Sequence, residues 1–228
     1  MATQKHGKRY RSDSEGRNVL ETCALPEAIE KVKGFKKTKF DQSIELCVHL
    51  GIDPKQADQL VRGSLALPHG VGKSKRVVAF CGDDKVKAAK EAGAVEAGGE
   101  ALVKKIQDGW MDFDVAVASP DMMRVVSKLG RVLGPKGLMP SPKSGTVTPD
   151  VTTAVKEYAA GKLEFRNDAG GNVHAVIGKM SFEAPKLVEN AEAFLATIQK
   201  MKPSAAKGNY VKKISVSGTM TPGVLVTS

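Results

Sequence analysis

The alternation of apolar and polar positions changes character twice along the chain. Between Ser43 and Leu50, Ile44, Leu46, Val48 and Leu50 fall at every second position. Period two with one apolar face predicts a strand buried on one side only. Upstream, Leu25, Ile29 and Val32 stand at i, i+4 and i+7. Pro26 lies near the start and Gly34 past the end, so a short amphipathic helix is expected. Gly51 and Asp53-Pro54 turn the chain, and 63–67 returns as a strand before Pro68, Gly70 and Gly72 break it.

A different pattern follows. Val77 to Cys81 and Val115 to Ala118 are continuously apolar, as strands covered on both faces are. Helical periodicity separates and follows them. One segment runs from Asp83 to Ala92 and another from Glu100 to Gln107. A third, opened by Ser119-Pro120, carries Met122, Val126 and Leu129. A fourth follows Thr148-Pro149, with Val151, Ala154, Val155 and Tyr158 on one stripe. The β-α-β-α rhythm implies a small three-layer α/β unit. After Gly161 the one-sided pattern returns. Leu163 and Phe165 alternate with Glu164 and Arg166, and the turn 167–172 predicts a hairpin into 173–177. Leu187, Ala191, Phe194, Leu195 and Ile198 mark a long helix, and 213–217 a last half-buried strand.

The two ends share one pattern and the middle has another. The expected fold class is therefore α/β overall. A split α+β domain is built from both termini (1–69 and 159–228), with a second domain, 70–158, inserted into it. Pro68, Gly70, Gly72 and Gly161 mark the two crossings, and a pair of short crossings is a natural hinge.

Charge sharpens this picture. The 228 residues hold 35 Lys+Arg against 25 Asp+Glu, a formal net charge of +10. Outside 70–158 the excess is +7. Basic residues gather in 5–11, 31–39 and 200–213. An anionic partner is implied, nucleic acid first and an anionic membrane surface second. The basic start lacks an apolar stretch, so it does not read as a signal peptide; it reads as a phosphate-binding arm or as a disordered tail. No run reaches the roughly 18 apolar residues of a membrane span. Between Asp121 and Asp150 no acidic residue occurs, while Arg124, Lys128, Arg131, Lys136 and Lys143 do. The Gly- and Pro-rich stretch 130–143 inside that run lacks periodicity. It reads either as a rigid basic loop for RNA or tRNA phosphates or as a brace for the hinge.

Chemistry-bearing motifs fail on inspection. Gly70-Val71-Gly72-Lys73-Ser74 ends like a P-loop, but Leu67 stands where its first glycine belongs, and the loop precedes a strand instead of following one. No GxGxxG follows Val77 to Cys81, so no dinucleotide cofactor is implied. No serine or cysteine has a nucleophile's context. Cys23, Cys47 and Cys81, like His6, His49, His69 and His174, are scattered, which gives neither a disulfide framework nor a metal signature. Neither catalytic residues, cofactor nor metal is expected, and the reducing cytoplasm is the expected compartment.

Several segments resemble one known family. They are Lys5 to Tyr10, Lys39-Phe40-Asp41, Leu50 to Pro54, Asp58 to Gly63, Leu67 to Gly70, Asp108 to Asp114, Leu129 to Pro142, Glu164 to Asp168 and Thr219-Met220. Together, and in order over nearly the whole chain, they resemble the family of bacterial large-ribosomal-subunit protein one, the side-stalk protein. Gly130 to Pro140 is the most specific part. The resemblance implies a split α+β domain with an inserted Rossmann-like domain. It implies no enzymatic activity, direct binding to large-subunit rRNA on the ribosome, and a mobile stalk that guides deacylated tRNA from the exit site. It also implies repression of the protein's own operon through the mRNA leader. No membrane or small-molecule substrate belongs to it. Carried over by motif, the RNA site comprises Lys39, Phe40, Arg166, His174, Thr219 and Met220. Arg131, Lys136 and Lys143 are secondary RNA or tRNA contacts. The chain departs from the family pattern at Thr221, where Gly is usual, and Gly223 follows Pro222.

Overall fold

The computed structural model describes residues 7–15, 18 and 20–227, without the side chains of Asp83 and Lys143. Lys5 and His6 of the basic start therefore lie outside the described residues. In chain order the first arm holds α1 (Lys8–Ser14), β1 (Thr22–Cys23), α2 (Leu25–Gly34) and β2 (Ser43–Leu50). The middle holds β3 (Arg62–Leu65), β4 (Val77–Phe80), α3 (Asp83–Glu91), β5 (Glu96–Gly98), α4 (Glu100–Gln107) and β6 (Val115–Ala118). It continues with the one-turn helices α5 (Met123–Val126) and α6 (Gly130–Leu133), then α7 (Val151–Ala159) and β7 (Leu163–Arg166). The return arm holds β8 (Asn172–Lys179), α8 (Ala184–Lys200), β9 (Val211–Gly218) and β10 (Val224–Val226).

The chain divides into two compact units. The first is Met1–Val61, Leu67–Val71 and Phe165–Ser228; the second is Arg62–Ala66 and Gly72–Glu164. The crossings thus differ by a few residues from those expected at 69/70 and 158/159. Residues 62–66 and 159–164 go with the second unit, and 70–71 with the first.

The first unit is a five-stranded sheet in the order β1-β10-β9-β2-β8, drawing strands from both ends of the chain. All pairs are antiparallel except β1 with β10. Strict alternation along β2 sends Ile44, Leu46, Val48 and Leu50 inward. Val173, Ala175 and Ile177 of β8 and Ile214 and Val216 of β9 join them in the core. Helices α2 and α8 pack on each other and against these strands. Their buried stripes are Ala28, Ile29 and Val32, and Leu187, Ala191, Phe194 and Ile198. Phe194 meets Phe165 edge-on, centroids 5.2 Å apart. Asn190, on the buried side of α8, is fully enclosed. Its Oδ1 accepts from the His69 N–H (3.1 Å), and its Nδ2 donates to the carbonyls of Gly70 (3.0 Å) and Ile177 (2.8 Å). This amide ties the 67–71 segment down, because a buried side-chain amide is costly unless its donors and acceptor are met.

The second unit has a three-stranded parallel sheet, order β5-β4-β6. Alternate residues of its apolar strands enter two cores. Val77, Ala79, Val115 and Val117 pack with residues of α3 and α7. Val78, Phe80, Ala116 and Ala118 pack with α4, Val126, Leu129 and Leu133. This two-sided cover is why the strands read as continuous apolar runs.

Three expectations are corrected. The helix opened by Ser119-Pro120 breaks into short 3-10 and α turns through Leu133. The Ser127 hydroxyl bonds the Arg124 carbonyl at 2.8 Å, offering the backbone an alternative to regular helix. The stretch 130–143 is accordingly not irregular throughout, since it begins with α6. The expected hairpin also fails: β7 pairs with β3, and β8 pairs with β2. A lone bridge, Asn167 to Val173, joins the two arms of the turn.

Candidate nucleic-acid interface

The side chains of β2 that point away from the helices are Ser43, Glu45, Cys47 and His49, all half-buried. Their cross-strand partners are Lys179, Val176, His174 and Asn172 on β8, and Ser217, Ser215 and Lys213 on β9. The result is a polar sheet face on the side of β2 away from its buried residues. At its Ser43 end three sequence-distant segments converge. The Thr219 N–H donates to the Ser43 carbonyl (3.0 Å), and the Thr219 hydroxyl accepts from the Ser43 N–H (3.1 Å). Buried Gln42 presents its Oε1 to the Met220 N–H (2.9 Å) and its backbone carbonyl to Met180 (2.8 Å). Asp41 accepts from both the N–H and the hydroxyl of Ser181.

These bonds fix the loop before β2 against the turn after β9. Phe40 and Met220 are left pointing outward, 53% and 49% exposed. They are two of the five large apolar side chains exposed among the described residues. Lys39 and Thr219 beside them are exposed as well. Thr221 is buried: its Oγ1 accepts from the Gly218 N–H at 2.7 Å. Thr221 therefore turns inward and closes the turn.

His174 and Arg166 lie further along. His174 pairs with Cys47, four positions from Ser43, or about 13 Å at a strand's rise. The Asn167–Val173 bridge runs antiparallel and sets Arg166 alongside His174. Both side chains are exposed. Asp168 anchors the turn between them. Its carboxyl is held down at about 2, first by the Asn172 side-chain amide and then by the backbone N–H groups of Asn172 and Gly170. His174 Nε2 stands 3.7 Å from Asp168 Oδ2 and 4.0 Å from Cys47 Sγ. Both contacts fall on one ring nitrogen, unlike a nucleophile's relay, which uses both. Burial raises the Cys47 thiol pKa, the opposite of what activation requires.

In the second unit Arg131 and Lys136 are exposed on and after α6. The side chain of Lys143 falls outside the described residues. A cavity of ≈ 100 Å³ in this unit is lined by Lys75, Asp114, Thr146 and Glu164 among others. It is well below the roughly 300 Å³ at which small-molecule sites begin. Among the described residues no group of three His, Cys, Asp or Glu could hold a metal ion, and no helix is long and apolar enough to cross a membrane.

The model of the ribosomal protein L1p/L10e family matches residues 32–222, which include Lys39-Phe40 and Thr219-Met220. The chain belongs to the ribosomal protein L1p/L10e family. A curated relative is the large ribosomal subunit protein uL1 of Nitratidesulfovibrio vulgaris (strain DSM 19637 / Miyazaki F). It is 52% identical over 222 residues, covering 97% of this chain and 94% of the relative. As a member of this ribosomal family the chain is a structural protein and not an enzyme. Sequence reasoning missed Gln42, and it placed Arg9 in the basic start without linking it to Met220. The Arg9 guanidinium donates to the Met220 carbonyl at 3.3 Å, across 211 positions of sequence.

Proposed function

We propose that this chain is a cytoplasmic, ribosome-bound constituent of the large subunit that grips large-subunit rRNA with its first unit. One observation carries the reading: Phe40 and Met220, both half exposed, sit on one edge held by the Gln42 and Thr219 hydrogen bonds. An aromatic ring beside an exposed lysine and a hydroxyl is a platform for an unstacked base, a phosphate and a 2′-hydroxyl. Met220 fills the irregular apolar space next to it. Arg166 and His174 extend the contact along the sheet.

In the same reading the chain is a split α+β domain with an inserted Rossmann-like three-layer domain. The inserted domain swings on crossings at Pro68, Gly70, Gly72 and Gly161. Gly70, Gly72 and Gly161 adopt φ of 63°, 74° and 101°, which only glycine takes at little cost. The second unit then presents Arg131, Lys136 and Lys143 to exit-site tRNA, and the stalk helps release it once deacylated. The first unit also binds the mRNA leader of its own operon and represses it. These last roles rest on the resemblance to the family.

Salt-titrated filter binding tests the central part. Full-length large-subunit rRNA, transcribed in vitro, is compared with random-sequence RNA of equal length. The expected result is tighter binding to the rRNA at physiological salt. The log–log salt slope should be steep, with about 0.7–0.9 for each phosphate neutralised. Equal affinity for both RNAs would contradict the reading.

A further inference from the structure

The turn after β9 has a chemical gap. From Ile214 to the C-terminus the chain contains no charged residue. Thr219 and Met220 thus offer an RNA strand a hydroxyl and an apolar surface but no cation of their own. Besides Lys39 on the loop before β2, the fold supplies one from the opposite end of the sequence. Helix α1 places the Arg9 guanidinium on the Met220 carbonyl. That bond uses one of five N–H donors, so a phosphate can still be taken in the two-pronged geometry guanidinium favours.

Helix α1 adds no buried residue to the core, and its start has no side-chain cap. Seven residues are too few for a helix to be stable alone. Polar ties to the site's own loops include the Arg9 bond and the Lys36 ammonium on the Ser12 hydroxyl, 2.7 Å. Lys8 and Arg11, at i and i+3, are exposed together on another face. Asp13 shares Arg9's side of the helix at i+4 and opposes an anion there; the exposed Lys36 and Lys37 on the facing loop offset it.

We propose that α1 is a wall of the RNA site, with Arg9 taking a phosphate of the strand that lies on Phe40 and Met220. This rests on the reading of that edge as the rRNA site. RNA binding then pins the N-terminal helix to the C-terminal turn.

The test uses the full chain and full-length large-subunit rRNA, with filter binding from about 0.05 to about 0.3 M salt. Arg9→Ala, Arg9→Lys and Phe40→Ala are compared. Arg9→Ala should weaken binding roughly three- to tenfold near 0.1 M salt and make the log–log slope shallower by about 1. Arg9→Lys should keep the slope, and the urea midpoint of Arg9→Ala should not move. If Arg9→Ala keeps both affinity and slope while Phe40→Ala weakens binding, α1 lies outside an otherwise correct site. An affinity loss with unchanged slope assigns Arg9 a structural role and overturns the proposal. If neither Arg9→Ala nor Phe40→Ala changes binding, the site reading fails and the proposal falls with it.

Discussion

Phe194→Ala is expected to destabilise the first unit by about 3–5 kcal/mol, the usual cost of deleting a fully enclosed aromatic ring. Phe194 is completely buried on α8, one turn beyond Ala191 and one before Ile198. Its ring meets Phe165 nearly perpendicular, at an interplanar angle of 82°. Truncation removes the apolar area and the edge-to-face contact, and it leaves a cavity that α2, α8 and the sheet cannot close by small shifts. A domain's whole stability is about 5–15 kcal/mol, so such a loss takes a large share of it. Urea unfolding followed by far-ultraviolet circular dichroism measures the effect. A midpoint within error of the parent's would show that Phe194 does not hold the core together.

Phe40→Ala is expected to do the reverse. Its ring is 53% exposed, so truncation should change stability by less than about 0.5 kcal/mol. Affinity for large-subunit rRNA should fall by on the order of 1–3 kcal/mol, roughly 5- to 150-fold in Kd. The hydrogen bonds that position the loop come from Asp41, Gln42 and Ser43, so removing the ring leaves the loop in place. Binding loss without stability loss separates a contact residue from a core residue. Filter binding of the rRNA beside a urea titration reads both quantities. An unchanged Kd removes Phe40 from the interface; a lowered urea midpoint returns it to the core.

Period alone exposed much of this fold. The alternation from Ser43 to Leu50 matches β2 residue for residue, because one face of that strand is buried and the other is not. Val115 to Ala118 matches β6, because both of its faces are covered. Shorter pieces were illegible. Two-residue β1, three-residue β5 and three-residue β10 carry too few positions for any periodicity, and pairing partners fix them. The partner of β7 was misread because a local turn predicts a hairpin, whereas β8 is held along its length by β2. Helix α1 left no apolar stripe, since it buries nothing.

The site was legible only in part. Phe40 and Thr219-Met220 came from motif resemblance. The bonds that join them, Gln42 to Met220 and Ser43 to Thr219, cross 178 and 176 positions. No local signal in a single sequence marks such a pair. Gln42 reads as an ordinary polar loop residue until its 2% exposure is seen. The inward turn of the Thr221 hydroxyl to the Gly218 N–H also leaves no trace in the sequence.

The central claim is that rRNA is held on the edge formed by Phe40, Thr219 and Met220. Amide hydrogen exchange of the full chain, with and without full-length large-subunit rRNA, tests it most directly. Slower exchange is predicted at 38–43 and 218–221 and around Arg166 and His174, and none at the strand ends 81–83 and 98–100. Protection confined to 72–164, with 38–43 and 218–221 unchanged, would contradict it.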